Sequence, residues 1–225
     1  MGAPTNNPTL LFSRDALRSI DRDAVETFGV PSIVLMENAA IGAAKRIQAH
    51  YKDTFSTITV VCGGGNNGGD GYGTARHLCN HGYDINILQL ARPSTTDSAI
   101  NEHIARNMNI PMTQWVTGSI CSDSLIIDAI FGTGLNRTVT GEYADAINEI
   151  NASDCRCISL DIPSGLDCDD GMPHGCCVQA AETITFVGLK LGFEKGEASQ
   201  FTGNVSVVDI GCPHCLLQTY GVVAT

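Results

Sequence analysis

A glycine-rich stretch at residues 57–71 limits the folds open to this chain more than any other part of the sequence. Residues 57–61 form a β-branched run that is typical of a buried strand. Six glycines follow, mixed with Asn66, Asn67 and Asp70. A strand, a glycine turn and a helix in this order bring backbone N–H groups to a helix N-terminus, where phosphates bind. The stretch therefore predicts a phosphate-binding turn in an α/β fold.

The rest of the chain repeats the alternation of strand, turn and helix. Apolar and β-branched runs predict strands at residues 57–62, 83–90, 112–116, 124–129, 157–160, 182–187 and 205–209. Helical periodicity and capping residues predict helices at residues 13–28, 32–47, 71–79, 99–108 and 142–151. This order predicts a doubly wound, mostly parallel sheet with helices on both faces, a three-layer αβα sandwich. We expect one domain over residues 1–225, with a loose N-terminal arm over residues 1–10.

The charge balance and the hydropathy exclude several classes of partner. The net charge is −11, from 24 acidic and 13 basic residues, so the surface repels nucleic acid. No apolar run approaches the roughly 20 residues that a membrane helix needs. The first residues lack the basic and apolar regions of a signal peptide, which predicts a cytoplasmic protein.

The cysteines do not form a recognisable framework. There are ten, scattered along the chain, and we expect reduced thiols. The run Cys212-Pro213-His214-Cys215 has the spacing of a dithiol redox motif and contains a potential zinc ligand. Because it follows a late strand and not a first βαβ unit, a loop with ordinary thiols is the favoured interpretation.

Three strands are predicted to end in polar, glycine-bearing turns, at residues 63–71, 128–138 and 161–165. In an open α/β sheet, ligands bind beyond the carboxyl ends of the strands. The three turns together therefore predict one site, and their convergence is a stronger signal than any single motif.

The first turn contains the spacing Gly63-x-Gly65-x-x-Gly68 that is typical of dinucleotide-binding proteins. A dehydrogenase of that kind carries an acidic residue about 20 positions later, at the end of the next strand. This chain has Leu90-Ala91-Arg92 there, which argues against a conventional NAD-dependent dehydrogenase. A Walker A motif is excluded, because no Gly-Lys-Ser/Thr follows the glycines.

Side-chain oxygens in the three turns suggest further chemistry. Asn66, Asn67 and Asp70 offer oxygen ligands that a phosphate cradle does not need, which suggests a hard cation of one or two charges. Asp128 ends an apolar strand, where its charge needs a partner or a route to solvent. No Ser-His-Asp or Cys-His arrangement is supported, so Asp161 is the best-placed candidate for general acid/base work.

Taken together, these motifs resemble a known family. Gly65-Asn66-Asn67-Gly68-Gly69-Asp70-Gly71, the run from Asp128 to Gly134, and Asp161-Ile162-Pro163-Ser164-Gly165 look like those of the NAD(P)H-hydrate epimerases, the YjeF N-terminal domain family. Leu35-Met36-Glu37-Asn38-Ala39 is similar to the family's second helix. The resemblance runs from about residue 12 to residue 212. It implies a Rossmann-like fold and an isomerase that interconverts the R and S forms of hydrated NADH and NADPH.

The resemblance also implies roles for individual residues. Asp161 would reach the reacting end of the substrate and act as acid or base. Asn67, Asp128 and Ser164 would ligate a potassium ion. The positions implied to contact the hydrated nucleotide are Asn66, Asn67, Gly68, Gly69, Asp70, Gly132, Thr133, Gly134, Leu135, Asn136, Arg137, Thr138 and Asp161.

Two other functions stay open at this point, and the resemblance suggests partners. One alternative is a non-catalytic nucleotide-binding or scaffolding module of the same fold; the other is a nicotinamide dehydrogenase. Because many bacterial relatives are fused to a dehydratase domain, we expect functional coupling to a separate NAD(P)H-hydrate dehydratase. A homodimer is a further expectation.

Overall fold

The computed structural model describes residues 9–52, 54–120 and 123–224, which form ten strands and six α-helices. Two short 3-10 helices, Leu191–Glu194 and Ala198–Gln200, lie between the eighth and ninth strands. In chain order the other elements are β1 (Leu10–Phe12), α1 (Arg14–Glu26), α2 (Ser32–Tyr51), β2 (Thr57–Cys62), α3 (Asn66–Asn80), β3 (Asp84–Gln89), α4 (Thr96–Asn107), β4 (Met112–Gln114), β5 (Leu125–Ala129), α5 (Glu142–Ala152), β6 (Cys157–Leu160), β7 (Glu182–Phe186), β8 (Leu189–Lys190), β9 (Asn204–Val208), α6 (His214–Tyr220) and β10 (Val222–Val223).

Seven of these strands form one sheet in the order β4-β3-β2-β5-β6-β7-β9, and every neighbouring pair is parallel. All seven lie where the sequence predicts strands, which confirms the doubly wound sheet. From β2 the chain first adds β3 and β4 on one side of the sheet and then returns to add β5 on the other side of β2. A crevice opens between two strands whose connections run in opposite directions in this way. The glycine turn that follows β2 therefore lies beside the turn that follows β5.

Side chains alternate between two apolar layers. Ile58, Val60 and Cys62 of β2 point to the layer that α1–α4 cover, whereas Val61 points to the layer that α5 covers. Because both faces of the sheet are covered in this way, the central strands β2, β5 and β6 are buried nearly throughout. The helices on the two faces complete the αβα sandwich.

The start of α3 differs from the prediction. The helix begins at Asn66, whereas the sequence predicts it from Gly71, so the run from Asn66 to Asp70 is the first helical turn. Tertiary packing outweighs the low helix propensity of glycine here. A Cβ on Gly68 would lie 2.0 Å from the carbonyl oxygen of Gly63, and one on Gly71 would lie 2.6 Å from the Cβ of Ala129. Only glycine lets this helix approach the sheet so closely.

A second, three-stranded sheet of order β10-β1-β8 was not predicted. Its strand β1 begins at Leu10, so the loose arm expected over residues 1–10 does not extend to that end; residues 1–8 lie outside the described residues. The parallel pair of β1 with β8 and the antiparallel pair of β1 with β10 join the two ends of the described chain. This small sheet also carries Lys190 to the site described below.

The segment around Cys212 and Cys215 is not the loop that the sequence suggested. Cys212 is buried, while Cys215 is exposed in the first turn of α6. Among the residues that the structure describes, which leave out Cys121, no group of His, Cys, Asp and Glu is arranged to hold a metal ion, and the cysteines are free thiols. The ordinary-thiol interpretation stays a prediction for these positions.

No helix in the described part of the chain is both long enough and apolar enough to span a membrane.

Candidate active site

A cavity of about 790 Å³ opens at the carboxyl ends of β2, β3, β5 and β6, with α1 and α2 on its other side. The three turns predicted from the sequence all reach it. The predicted site residues that line it are Asn66, Asn67, Asp70, Gly132, Thr133, Gly134, Leu135, Asn136, Arg137 and Asp161.

Three predicted substrate positions do not line this cavity. Gly68 and Gly69 are buried behind its wall, and the Gly69 N–H donates to the carbonyl of Gly65. A Cβ on Gly69 would lie 2.7 Å from the sulfur of Met36. These glycines therefore permit close packing of α3. Thr138 lines a smaller adjoining pocket of about 230 Å³.

Asp128 and Ser164 lie together beneath the cavity, fully buried. Ser164 donates to Asp128 through its hydroxyl (2.6 Å) and its backbone N–H (2.9 Å). The hydroxyl of Ser159 and the N–H of Ile130 donate the other two hydrogen bonds, at 2.7 and 3.2 Å. Burial raises the pKa of Asp128, although these four bonds favour the carboxylate. The site thus has a buried, hydrogen-bonded carboxyl that bridges β5, β6 and the turn after β6.

Asn67 is a buried polar side chain at this site without a hydrogen-bond partner among the described residues. It is 5% exposed, and both its amide nitrogen and its amide oxygen are buried without a hydrogen-bond partner among the described residues. Such a group costs about 1–3 kcal/mol when unpaired. A Cβ on Gly132 would lie 3.4 Å from the Cβ of Asn67 and 3.0 Å from Asp161 Oδ2. The unpaired amide therefore faces the same corner of the cavity as Asp161.

Asp161 follows β6 with a backbone φ of 66°, a conformation that few residues other than glycine adopt. Its Oδ1 forms an ion pair with the Nζ of Lys190 at 2.7 Å, and its Oδ2 accepts the backbone N–H of Thr133 at 3.2 Å. Val187, another cavity residue, has a φ of 69°. Strained backbone of this kind often accompanies functional sites, where the surrounding structure enforces it.

Lys190 is a site residue that sequence reasoning missed. Its side chain is 1% exposed, and its ammonium donates to the carbonyls of Phe186 (2.8 Å) and Gly188 (3.5 Å) besides its contact with Asp161. An ammonium has three N–H groups, and all three have partners here. The available signal was a lysine inside the apolar run Gly188-Leu189-Lys190-Leu191. A buried lysine there requires a counter-charge, which Asp161 provides.

Two further carboxyl groups, Asp21 and Asp70, lie on the cavity wall with Asp161. Crowding by the surrounding protein and the like charge of Asp161 raise the pKa of Asp21 to about 6, although this side chain still reaches solvent. The same two causes, with the added charge of Asp21, raise the pKa of Asp70 well above its usual range. Among the described residues, Asp161 is the carboxylate of the three that has a cation within ion-pair distance. The cavity therefore holds two carboxyl groups, Asp21 and Asp70, that bind a proton more readily than a free aspartate does.

A network of ionic contacts secures the turn after β5 from outside the cavity. The guanidinium of Arg14 donates to Asp167 at 2.6 Å and to the carbonyl of Thr133 at 2.8 Å. His174 contacts the same oxygen of Asp167 at 2.9 Å. Burial opposes ionisation of Asp167, but the bonds from Arg14 and from backbone N–H groups lower its pKa to about 2. The cysteine-bearing segment 166–177 thus holds the predicted nucleotide loop through Arg14.

Replacing Arg14 with Met should lower the free energy of unfolding by about 2 kcal/mol at pH 7, because Asp167 loses the partner that depresses its pKa. A carboxyl group whose pKa is lower in the folded than in the unfolded protein stabilises the fold at pH values above its unfolded-state pKa, near 4. This stabilisation is lost as the pH falls toward 2. The difference in unfolding free energy between the variant and the wild type should therefore become smaller as the pH falls below 4. Urea unfolding at several pH values measures it.

The control for that experiment is Arg18→Met. The ion pair of Arg18 with Asp15 is exposed, and pairs of this kind contribute about 0–1 kcal/mol. An Arg14→Met effect that is equally small, or independent of pH, would contradict the role assigned to the Arg14–Asp167 pair.

Comparison with protein families shows what the chain resembles. Residues 32–192 match the model of the family described as YjeF-related protein N-terminus. A protein of Limosilactobacillus reuteri named NAD(P)H-hydrate epimerase is 37% identical over 201 residues, which cover 88% of this chain and 94% of that protein. All three predicted turns lie within the range that the family model matches, whereas the part of the cavity wall that α1 forms lies outside it.

Two other relatives add to this comparison. A protein of Moorella thermoacetica named bifunctional NAD(P)H-hydrate repair enzyme Nnr is 37% identical, over 93% of this chain and 42% of that protein. The crystal structure of yeast ynu0 superposes with a TM-score of 0.80 at 21% identity, over 96% of this chain and 95% of that chain. The structural likeness supports the fold, and the sequence matches support the family.

Proposed function

This chain belongs to the family of YjeF-related N-terminal domains, and from that premise we propose that it is an NAD(P)H-hydrate epimerase. It is an isomerase that interconverts the R and S forms of hydrated NADH and NADPH. The observation that carries this proposal is the cavity itself, in which Asn67, Asp161 and the glycine-bearing turn after β5 meet. A scaffolding role needs no such convergence. The lack of an acidic residue in Leu90-Ala91-Arg92, just after β3, disfavours a conventional NAD-dependent dehydrogenase.

The chemistry requires a proton to move at one hydroxyl of the substrate. The hydrated nicotinamide carries that hydroxyl on a carbon bonded to the ring nitrogen. Asp161, held by Lys190, is a carboxylate and accepts the hydroxyl proton. The C–N bond then breaks as a C=O bond forms, and the nitrogen takes a proton. Rotation of the aldehyde exposes its other face, and the reverse steps restore the ring with the centre inverted.

We infer that Asp70, which also lines the cavity, supplies the proton that the ring nitrogen takes. The surrounding protein and the neighbouring carboxylates raise the pKa of Asp70 well above the usual range, which favours its neutral form. Two carboxyl groups whose environments differ in this way can act as a base and an acid at the same pH. The pair accounts for an epimerisation that needs no redox cofactor.

The decisive test of the function is direct. Purified S-hydrate of NADPH is incubated with the protein, and NMR follows the appearance of the R form. Equilibration far faster than in the absence of protein supports the epimerase. A protein that binds the hydrate without equilibrating it supports the scaffolding alternative, and oxidised nucleotide as product supports a dehydrogenase.

The residues Asn67, Asp128 and Ser164 fit a potassium ion. All three offer oxygen, the donor that hard cations prefer, and the amide oxygen of Asn67 has no other partner among the described residues. The Ser164 hydroxyl, which donates to Asp128, also lies 3.2 Å from the carbonyl of Phe131, so it can turn away and free a carboxylate oxygen. Bound potassium would supply a fixed positive charge beside the phosphates and the turn after β5.

Potassium should raise the thermal midpoint of the wild-type protein relative to choline at equal ionic strength, because an ion that binds the folded state stabilises it. Asn67→Leu should remove most of this potassium-dependent shift. Asn66→Ala is the matched control, since Asn66 is exposed and should leave the shift intact. Equal shifts in potassium and choline for the wild type would contradict the site.

Coupling to an NAD(P)H-hydrate dehydratase completes the proposal. The Moorella relative is named bifunctional, and this chain aligns with less than half of it. We infer that a dehydratase consumes the S-hydrate that this enzyme forms. The homodimer and the cytoplasmic location stay predictions.

A further inference from the structure

The cavity extends across four adjacent strand ends. The order β3-β2-β5-β6 places the segment after β3 at one end and Asp161, after β6, at the other. Three inter-strand steps separate them, about 14 Å in all. The N-terminus of α3, which follows β2, lies between. A dinucleotide with its pyrophosphate at that helix terminus and its hydrated ring at Asp161 therefore directs its adenosine half toward β3.

Arg92 is the cation at the β3 end of the cavity. The segment that carries it is fixed to the glycine turn, because the backbone N–H and the hydroxyl of Ser94 both donate to the carbonyl of Gly64 at 2.7 Å. A Cβ on Gly64 would lie 2.8 Å from the carbonyl oxygen of Arg92, so the two turns touch. The guanidinium is exposed, and the structure shows no ion pair for it within the described ranges 9–52, 54–120 and 123–224.

We propose that Arg92 binds the 2′-phosphate of the adenosine ribose, so that the enzyme prefers hydrated NADPH to hydrated NADH. This inference rests on the proposed function and adds the substrate class. In dinucleotide-binding folds this strand end carries an acidic residue where the ligand has a free 2′-hydroxyl and an arginine where it has a 2′-phosphate. A guanidinium pairs with phosphate through two parallel hydrogen bonds. Asp97 also lines the cavity, and its carboxylate opposes phosphate binding, so Arg92 has to outweigh that repulsion.

The test compares kcat/KM for the two S-hydrates. The wild type should favour the NADPH hydrate, and Arg92→Ala should lower kcat/KM for it by about 10- to 100-fold, the equivalent of one charge-assisted contact. The NADH hydrate should change by less than about threefold. Arg92→Glu should reverse the preference, because a carboxylate repels the phosphate and accepts ribose hydroxyls. The control Arg18→Glu makes the same charge change at the cavity mouth and should leave the ratio of the two substrates unchanged.

A binding measurement separates this inference from the proposed function. Calorimetry with 2′,5′-ADP and with 5′-ADP needs no turnover. The wild type should bind 2′,5′-ADP more tightly, and Arg92→Ala should equalise the two ligands. If the wild type epimerises neither hydrate, the proposed function fails while this comparison still decides the role of Arg92. Equal affinities in the wild type, or a substrate ratio that Arg92→Ala leaves unchanged, would overturn the inference.

Discussion

Asp161→Asn should abolish epimerisation, with a loss of about 10²–10⁴-fold in kcat, the usual contribution of a general acid or base. The amide keeps the shape of the carboxyl group but cannot accept the hydroxyl proton. Asparagine also tolerates the positive φ of this position, so the backbone need not move. Nucleotide affinity should change little, because we propose that the phosphates bind at the N-terminus of α3. The measurement is NMR equilibration of S-hydrate together with calorimetric binding of NADP⁺.

The matched control is Asp84→Asn. Asp84 begins β3, at the amino end of the sheet and away from the cavity, and its side chain is exposed. It should retain wild-type kcat. Full activity in Asp161→Asn would remove Asp161 from the mechanism, and a variant that neither binds nucleotide nor unfolds cooperatively would show instead that Asp161 serves the fold.

The strands of the large sheet could be predicted because runs of apolar and β-branched residues indicate buried strands. The runs at residues 57–62 and 157–160 are apolar or β-branched, and β2 and β6 span those same residues. The three site turns followed from this, since parallel strands end at one edge. The residue pattern of a single strand was sufficient to predict it where both faces of that strand are buried.

The parts that were missed depend on contacts between distant segments. The strands β1, β8 and β10 contain two or three residues each, too few to show any periodicity. The start of α3 at Asn66 is decided by how closely Gly68 approaches Gly63, which propensity does not report. The pairing of Asp161 with Lys190 joins the turn after β6 to the small sheet, and no spacing in the sequence predicts it.

Lys190→Met should produce the second large effect, because it leaves Asp161 without its cation and removes one of the two N–H donors to the carbonyl of Phe186. Met preserves most of the apolar stem, so packing changes little. We expect the free energy of unfolding to fall by about 2–3 kcal/mol, below the usual cost of breaking a fully buried pair, because Asp161 is 16% exposed. The value of kcat should fall, while nucleotide affinity is retained. Lys195→Met is the control, since that exposed ammonium contacts only the Asp169 carbonyl among the described residues.

The double variant Asp161→Asn/Lys190→Met distinguishes a positioning role for Lys190 from a general loss of stability. With Asn at position 161, Lys190 is a buried charge without a counter-charge, so its replacement should then cost little or should restore stability. The coupling in unfolding free energy should be about 1–3 kcal/mol, and the double variant should be no less active than Asp161→Asn alone. Additive effects would mean that Lys190 acts independently of Asp161. Strong coupling would instead establish that the small sheet is part of the active site, since β1 pairs with the strand that carries Lys190.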